Sequence, residues 1–357
     1  MISCFSRRTF TICAAVVMLA GCGGPQSPMD ALGPLPQGHG GAHHPEDVQR
    51  SGHEKSWMSP DAKKIKELLY VSNGDDEVHV FNYKTKALVG ELTGENGFSQ
   101  GQCVDKLGNV WFIEYGNIDG TLGSAVEYAH GGSTPLKTLN TEGSSIGCSI
   151  DPTSGDLAVA NVDNAGTGPP NVVVFKNASG TPKIYYNYYC GTPQPPGYDQ
   201  KGNLYVEGDV GSGLSNAVCE LPHRGKALRP VSLNVSIPIP EGVMWDGEYI
   251  TLASEIGVHP KTAIYQMAED TFGNLKKVGK TVLADSCNGR RAEVEQPFIV
   301  GTANTPANRQ QANVVVGGNV ACASSFEYWD YPAGGNPIGT ISSYSSPSSQ
   351  SVSIAPN

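Results

Sequence analysis

Charge is scarce in this chain. Asp, Glu, Lys and Arg make up 16% of its 357 residues, and the formal net charge is −10. A basic face that could neutralise phosphates is missing, which argues against a nucleic-acid partner. Helix patterning is also missing; only Asp61 to Glu67 offers one short turn. With no helix to follow it, no phosphate-cradling glycine loop can form. There is no Gly-x-Ser-x-Gly elbow to expose a nucleophile. No Cys-x-x-Cys pair exists, so a zinc or redox site is not expected. His79, His130, His223 and His259 fall one per region, without ligand spacing.

Turn formers are abundant. The chain has 44 glycines and 25 prolines, yet apolar residues still reach 39%. That is turn-dense all-β composition, not disorder. The organising feature is a repeat. Asp105-Lys106-Leu107-Gly108-Asn109-Val110-Trp111-Phe112 returns in variant form from Asp151, from Asp199 and, more loosely, from Asp246. These aspartates are 46, 48 and 47 residues apart. Short strands at a period of about 40–50 residues mark a β-propeller. The expectation is an all-β, six-bladed β-propeller of four-stranded antiparallel blades. The units are placed at 68–105, 109–151, 155–199, 203–246, 248–300 and 313–356.

The nearly continuous apolar runs, such as Leu69-Tyr70-Val71, Val110-Trp111-Phe112 and Leu204-Tyr205-Val206, are assigned to the inner strand, because packing on both faces favours such runs. A second strand recurs at Glu77 to Phe81, Asn171 to Phe175 and Phe326 to Trp329. Most second strands lead into a glycine hairpin, at Gly131-Gly132, Gly180, Gly225, Gly273 and Gly334-Gly335. A fourth strand leads into the aspartate, as in Gly101-Gln102-Cys103-Val104 and Gly147-Cys148-Ser149-Ile150. The last strand, Val352-Ser353-Ile354-Ala355-Pro356, matches Cys148 to Pro152, so the final unit is expected to end on its own fourth strand. The repeated aspartates themselves read as turn residues that cap backbone amides, not as acid–base pairs.

The unit resembles the NHL-repeat propellers, whose strands end in Asp followed by a Gly-Asn turn. More closely, it is similar to a group of bacterial lipoproteins sharing the Gly-Gln-Cys-Val-Asp and Gly-Cys-Ser-Ile-Asp-Pro segments. That resemblance implies a fold and an export route, without an established activity.

The N-terminus fits that route. Arg7 and Arg8 precede a short apolar run, Thr11 to Ala20, too short to span a bilayer at about 20 residues. It ends in Leu19-Ala20-Gly21-Cys22, which resembles a bacterial lipobox. The resemblance implies lipid attachment at Cys22 and anchoring to the membrane by two or more acyl chains. Ser6-Arg7-Arg8-Thr9-Phe10 also resembles a twin-arginine export signal. Gly23 after the cysteine favours the outer membrane by analogy. Residues 1–22 are therefore a signal peptide, 23–60 a flexible Gly/Pro/His-rich tether and 61–357 the propeller. The expected address is the bacterial cell envelope, facing periplasm or exterior.

Six cysteines remain after the leader: Cys103, Cys148, Cys190, Cys219, Cys287 and Cys322. An even number in an exported chain suggests disulfides. Cys103 and Cys148 sit at nearly the same place in successive repeats, and Cys287 and Cys322 flank the last repeat junction. These are the expected pairs, which leaves Cys190 with Cys219. Buried free thiols are the alternative.

Asn73, Glu114, Asn161, Glu207 and Glu255 lie at or near the ends of the assigned inner strands. They could ring one mouth of the channel, and oxygen ligands of this kind suit a divalent cation such as Ca2+. The SMP-30/gluconolactonase propellers hold a metal in this manner, although their Glu-Gly-Pro start is absent here; a solvated rim is the simpler reading. Two aromatic clusters, Tyr185 to Tyr189 and Tyr328 to Tyr331, suit stacking with a peptide or glycan, or packing between blades. The leading functional expectation is a cofactor-free, monomeric binding or scaffold module for protein, peptide or glycan. The alternative is a metal-dependent lactonase or related hydrolase at the channel mouth.

Overall fold

The structure is a computed structural model that describes residues 55–73, 77–93, 99–116, 122–163, 168–210, 216–256, 261–284, 294, 296–300, 314–319, 325–342 and 348–356. The leader, Cys22, nearly all of the tether, and Cys287 and Cys322 lie outside the described residues.

The described chain is a six-bladed β-propeller of antiparallel sheets. Blade two is typical, with strands Ser99–Val104, Val110–Glu114, Ser124–Tyr128 and Pro135–Asn140 hydrogen-bonded in that order. Blade three repeats it with Ser144–Ile150, Leu157–Asp163, Asn171–Phe175 and Lys183–Tyr185. Among the described residues no α-helix occurs, and Ala62–Lys64 forms one 3-10 turn in the stretch expected to hold a short turn.

The order of strands within a blade corrects the sequence assignment. The apolar strands such as Val110–Glu114 are second from the centre. The innermost strands are the four that end at the aspartates, Ser99–Val104, Ser144–Ile150, Gly197–Tyr198 and Pro240–Trp245, together with Phe298–Val300 and Ser349–Ile354. Residues from all six surround one central cavity. The apolar pattern misled because the second strand is packed on both faces; Val110–Glu114 is buried at every position. The innermost strand carries glycine and polar residues for a different reason. Neighbouring backbones nearly touch there: a Cβ on Gly101 would lie 2.5 Å from the Gly147 Cα, and one on Gly147 would lie 2.6 Å from the Pro195 Cβ.

Ring closure corrects a second expectation. The last strand, Ser349–Ile354, does not complete blade six. It pairs with Glu67–Ser72 in blade one, from Glu67↔Ile354 to Ser72↔Ser349. The unit boundaries read from sequence therefore each straddle two blades. The two ends of the propeller are thus joined by a ladder of six paired positions. His130 reinforces the junction, with its ring nitrogens 2.7 Å from Ser353 Oγ and 2.7 Å from the Ile65 carbonyl.

The propeller also begins earlier than residue 61. Trp57–Met58 pairs with Leu88–Thr93 as a fifth strand on the outer edge of blade one. Gly90 makes room for it, since any Cβ there would collide with the Met58 sulfur. Two residues are too few to produce a periodic signal in the sequence.

Buried side chains fill the seams between blades. Trp111, Ile113, Leu157 and Val159 fill the seam between blades two and three, and Ile264, Ile299, Val315 and Trp329 the one between five and six. Full burial of each aliphatic side chain contributes about 1.5–3 kcal/mol.

Candidate functional site

The repeated aspartates are turn residues in the structure. Asp105 Oδ1 accepts from the amides of Leu107 and Asn109, both at 2.8 Å. Asp199 Oδ1 accepts from Lys201 at 2.8 Å and Asn203 at 2.9 Å. Gly108 and Gly202 follow with φ of 81° and 83°, where an L side chain is strained. Burial raises the Asp105 pKa against the opposing pull of these amide bonds. Asp246 joins a seam: its Oδ2 accepts from Tyr331 Oη at 2.6 Å, a residue of the following blade. Not every hairpin glycine plays the expected part. In the turn holding Gly225, the positive φ falls on Arg224.

The ends of the apolar strands do not form a channel lining. Because those strands are second from the centre, Asn73, Glu114, Asn161, Glu207 and Glu255 sit one layer out, one per blade. All five are buried. Asn161 Nδ2 donates to the Thr141 carbonyl at 2.7 Å, and its Oδ1 accepts from Ser145 Oγ at 2.7 Å. Glu114 accepts from the Ser124 hydroxyl. Asn73 Oδ1 accepts from the Glu77 amide at 3.1 Å. Among the described residues, no three His, Cys, Asp or Glu side chains come together around a common point. None of the five stands among the described residues that line the central cavity.

The centre holds a cavity of about 120 Å³. Its wall includes Val104, Ile150, Met244, Trp245 and Phe298, while Gln102, Gln296 and Gln350 supply amides. Gln296 reaches across to two other blades: its Nε2 donates to the Gln100 carbonyl at 2.8 Å and the Ile146 carbonyl at 3.1 Å. Gln102 is anchored likewise, donating to Ser72 Oγ at 2.7 Å and accepting from Ser351 Oγ at 2.7 Å. Sequence reading did not single out these glutamines. A lone Gln in a short strand carries no pattern, and the sequence separation of 247 residues between Gln102 and Ser349 hides the contact.

Of the two aromatic clusters, one is packing and one is surface. Tyr328, Trp329 and Tyr331 are buried. Tyr186, Tyr188 and Tyr189 are exposed by 49%, 78% and 71%, and Tyr188 meets Tyr189 edge-on at 5.8 Å. This ledge lies at the link between blades three and four, and it is held at both ends. Asn187 Oδ1 accepts from the Tyr189 amide at 3.0 Å, and its Nδ2 donates to the Leu228 carbonyl at 2.8 Å. Next to it, Cys190 is bonded to Cys219. The other expected bridge within the described residues, Cys103 to Cys148, is also formed and joins the innermost strands of blades two and three.

No protein-family model matches the sequence, and no curated protein matches it. Solved structures do match in shape. A chain of the nidogen/laminin complex aligns with a TM-score of 0.53 at 12% identity, covering 82% of this chain and 99% of that one. Kuenenia stuttgartiensis hydrazine synthase gives 0.54 at 14% identity, covering 85% and 92%. The β-propeller domain of Myceliophteria thermophila Cps50 (Swd1) gives 0.51 at 10%, covering 81% and 86%. At such identities the likeness shows the fold alone: the chain is a β-propeller.

Proposed function

We propose that this protein is an envelope-anchored lipoprotein of NHL-like repeat, acting as a binding module that takes peptide or glycan on its tyrosine ledge. The observation that carries the reading is the exposure of Tyr186, Tyr188 and Tyr189 within four residues on a braced backbone. Tyrosine combines a broad apolar ring with a hydroxyl, so it stacks on sugar or peptide faces and still hydrogen-bonds. Bracing lowers the ordering cost of association. Large exposed aromatics are otherwise costly to keep in water, which supports a use for them. The lipobox-like Cys22 would hold the disc at a membrane, where a scaffold of this kind meets envelope partners.

The test is a triple change, Tyr186→Ala, Tyr188→Ala and Tyr189→Ala, assayed on immobilised glycan panels and random peptide libraries. The intact protein should retain defined glycans or peptides, and the triple variant should lose them with its melting temperature unchanged. Equal retention by both proteins would remove the ledge from the function. Anchoring is tested separately. Cys22→Ser should move the protein from the membrane to the soluble fraction, and unchanged fractionation would defeat the lipid assignment.

A further inference from the structure

Two of the six blades that line the cavity break the repeat. Four of the six innermost strands run six or seven residues. In blade four the inner strand is broken into Thr192–Pro193 and Gly197–Tyr198, with Gln194-Pro195-Pro196 between. In blade six the described residues show an inner strand at Phe298–Val300. Proline has no amide hydrogen to give a ladder. Gln296, just ahead of the short strand, holds φ at +47°, a left-handed conformation that is strained for a non-glycine residue. Local irregularity of this kind persists only where the surroundings enforce it, and it concentrates at ligand sites.

We propose that this central cavity is a binding site for a small uncharged ring compound, of the size and polarity of a phenol. Size sets an upper limit of one ring: the cavity measures about 120 Å³, and an apolar cavity on the order of 150 Å³ takes benzene. Charge comes second. No Lys, Arg or His stands among its described lining residues, and Glu241 is the one carboxylate there. An anion would lose its hydration without a counter-charge. Wall chemistry comes third. Ile150, Met244, Trp245 and Phe298 offer apolar and aromatic surface. Gln102 and Gln296 present side-chain amides already held by backbone and serine partners. An amide oxygen has two lone pairs, so one hydroxyl on the ring can be bonded without reorganising the floor.

The site is independent of the tyrosine ledge, and its test separates the two. The probe is 4-fluorophenol, titrated into the intact protein and followed by its fluorine resonance. Saturable one-site binding is expected. Ile150→Trp, which fills the cavity, should weaken it at least about tenfold, and the Tyr188→Ala, Tyr189→Ala double variant should bind as the parent does. Should Ile150→Trp fail to fold, methyl resonances of Ile150, Met244 and Ile299 in the unsubstituted chain decide: they should shift with saturation. No saturable binding, unchanged affinity in a folded Ile150→Trp protein, unmoved methyls, or loss of binding in the tyrosine variant would each overturn the proposal.

Discussion

The seam between blades two and three and the seam between blades five and six come from the same repeat and hold by different means. At the first, full-length innermost strands bring Gly101 against Gly147, and Cys103 is bonded to Cys148. Backbone meets backbone there. At the second, the innermost strand of blade six has three residues. Side chains take over the joining. Met244 Sδ accepts from the Ile299 amide at 3.4 Å, Tyr331 donates to Asp246, and Trp329 Nε1 donates to the Ala284 carbonyl at 2.7 Å. The lesson is geometric. Where the inner strands are complete and glycine-bearing, neighbouring blades meet backbone to backbone; where the strand is short, side chains bridge the gap.

The strongest way to break the side-chain seam is Trp329→Ala. This side chain is fully buried, and truncating such a residue costs about 3–5 kcal/mol. The upper end is expected because the Ala284 carbonyl also loses its donor. Denaturant unfolding of the variant measures it. The backbone seam should respond slightly less to loss of its staple. The bridge closes 45 residues, for which the chain-entropy relation gives about 4 kcal/mol. Replacing Cys103 and Cys148 together by alanine should lower stability by no more than that. A loss near zero would show that the glycine contacts alone hold the seam.

Gly147→Ala probes the corresponding close approach between blades three and four. The added methyl carbon would sit 2.6 Å from the Pro195 Cβ, and overpacking of this kind costs about 1–3 kcal/mol. A neutral result would mean that the Pro195 segment yields. The smallest effect concerns the ring closure beside both seams. Burial lowers the His130 pKa below its ordinary 6.5. Below that value the unfolded chain takes up a proton that the folded chain refuses. The stability from neutral His130 is therefore complete above about 6.5 and declines as pH falls. The melting temperature should drop more steeply from pH 7.5 to 5 in the parent than in His130→Asn.

Much of the fold was legible because its causes are local. Asp105, Gly108 and Asn109 act within five residues, so their recurrence gave the period and announced the turns. The bridges Cys103–Cys148 and Cys190–Cys219 were readable from equivalent repeat positions and elimination. Strand order was not. A run such as Val110-Trp111-Phe112 looks the same whether first or second from the centre, since both places can be packed on two faces. The glycines of Gly101-Gln102-Cys103-Val104 were the missed signal, because close backbone approach is what an innermost strand demands. The acid and amide residues sit elsewhere than expected for the same reason: one strand outward, Glu114 and Asn161 are buried partners of neighbouring serines.

By itself the sequence determined the class, the blade count and the turn chemistry, all of which depend on residues close together in the chain. Only the tertiary structure decided which strand lines the channel, which blade receives the last strand, and which tyrosines reach solvent. Those outcomes depend on contacts between residues such as Glu67 and Ile354, far apart in sequence, which no local pattern encodes.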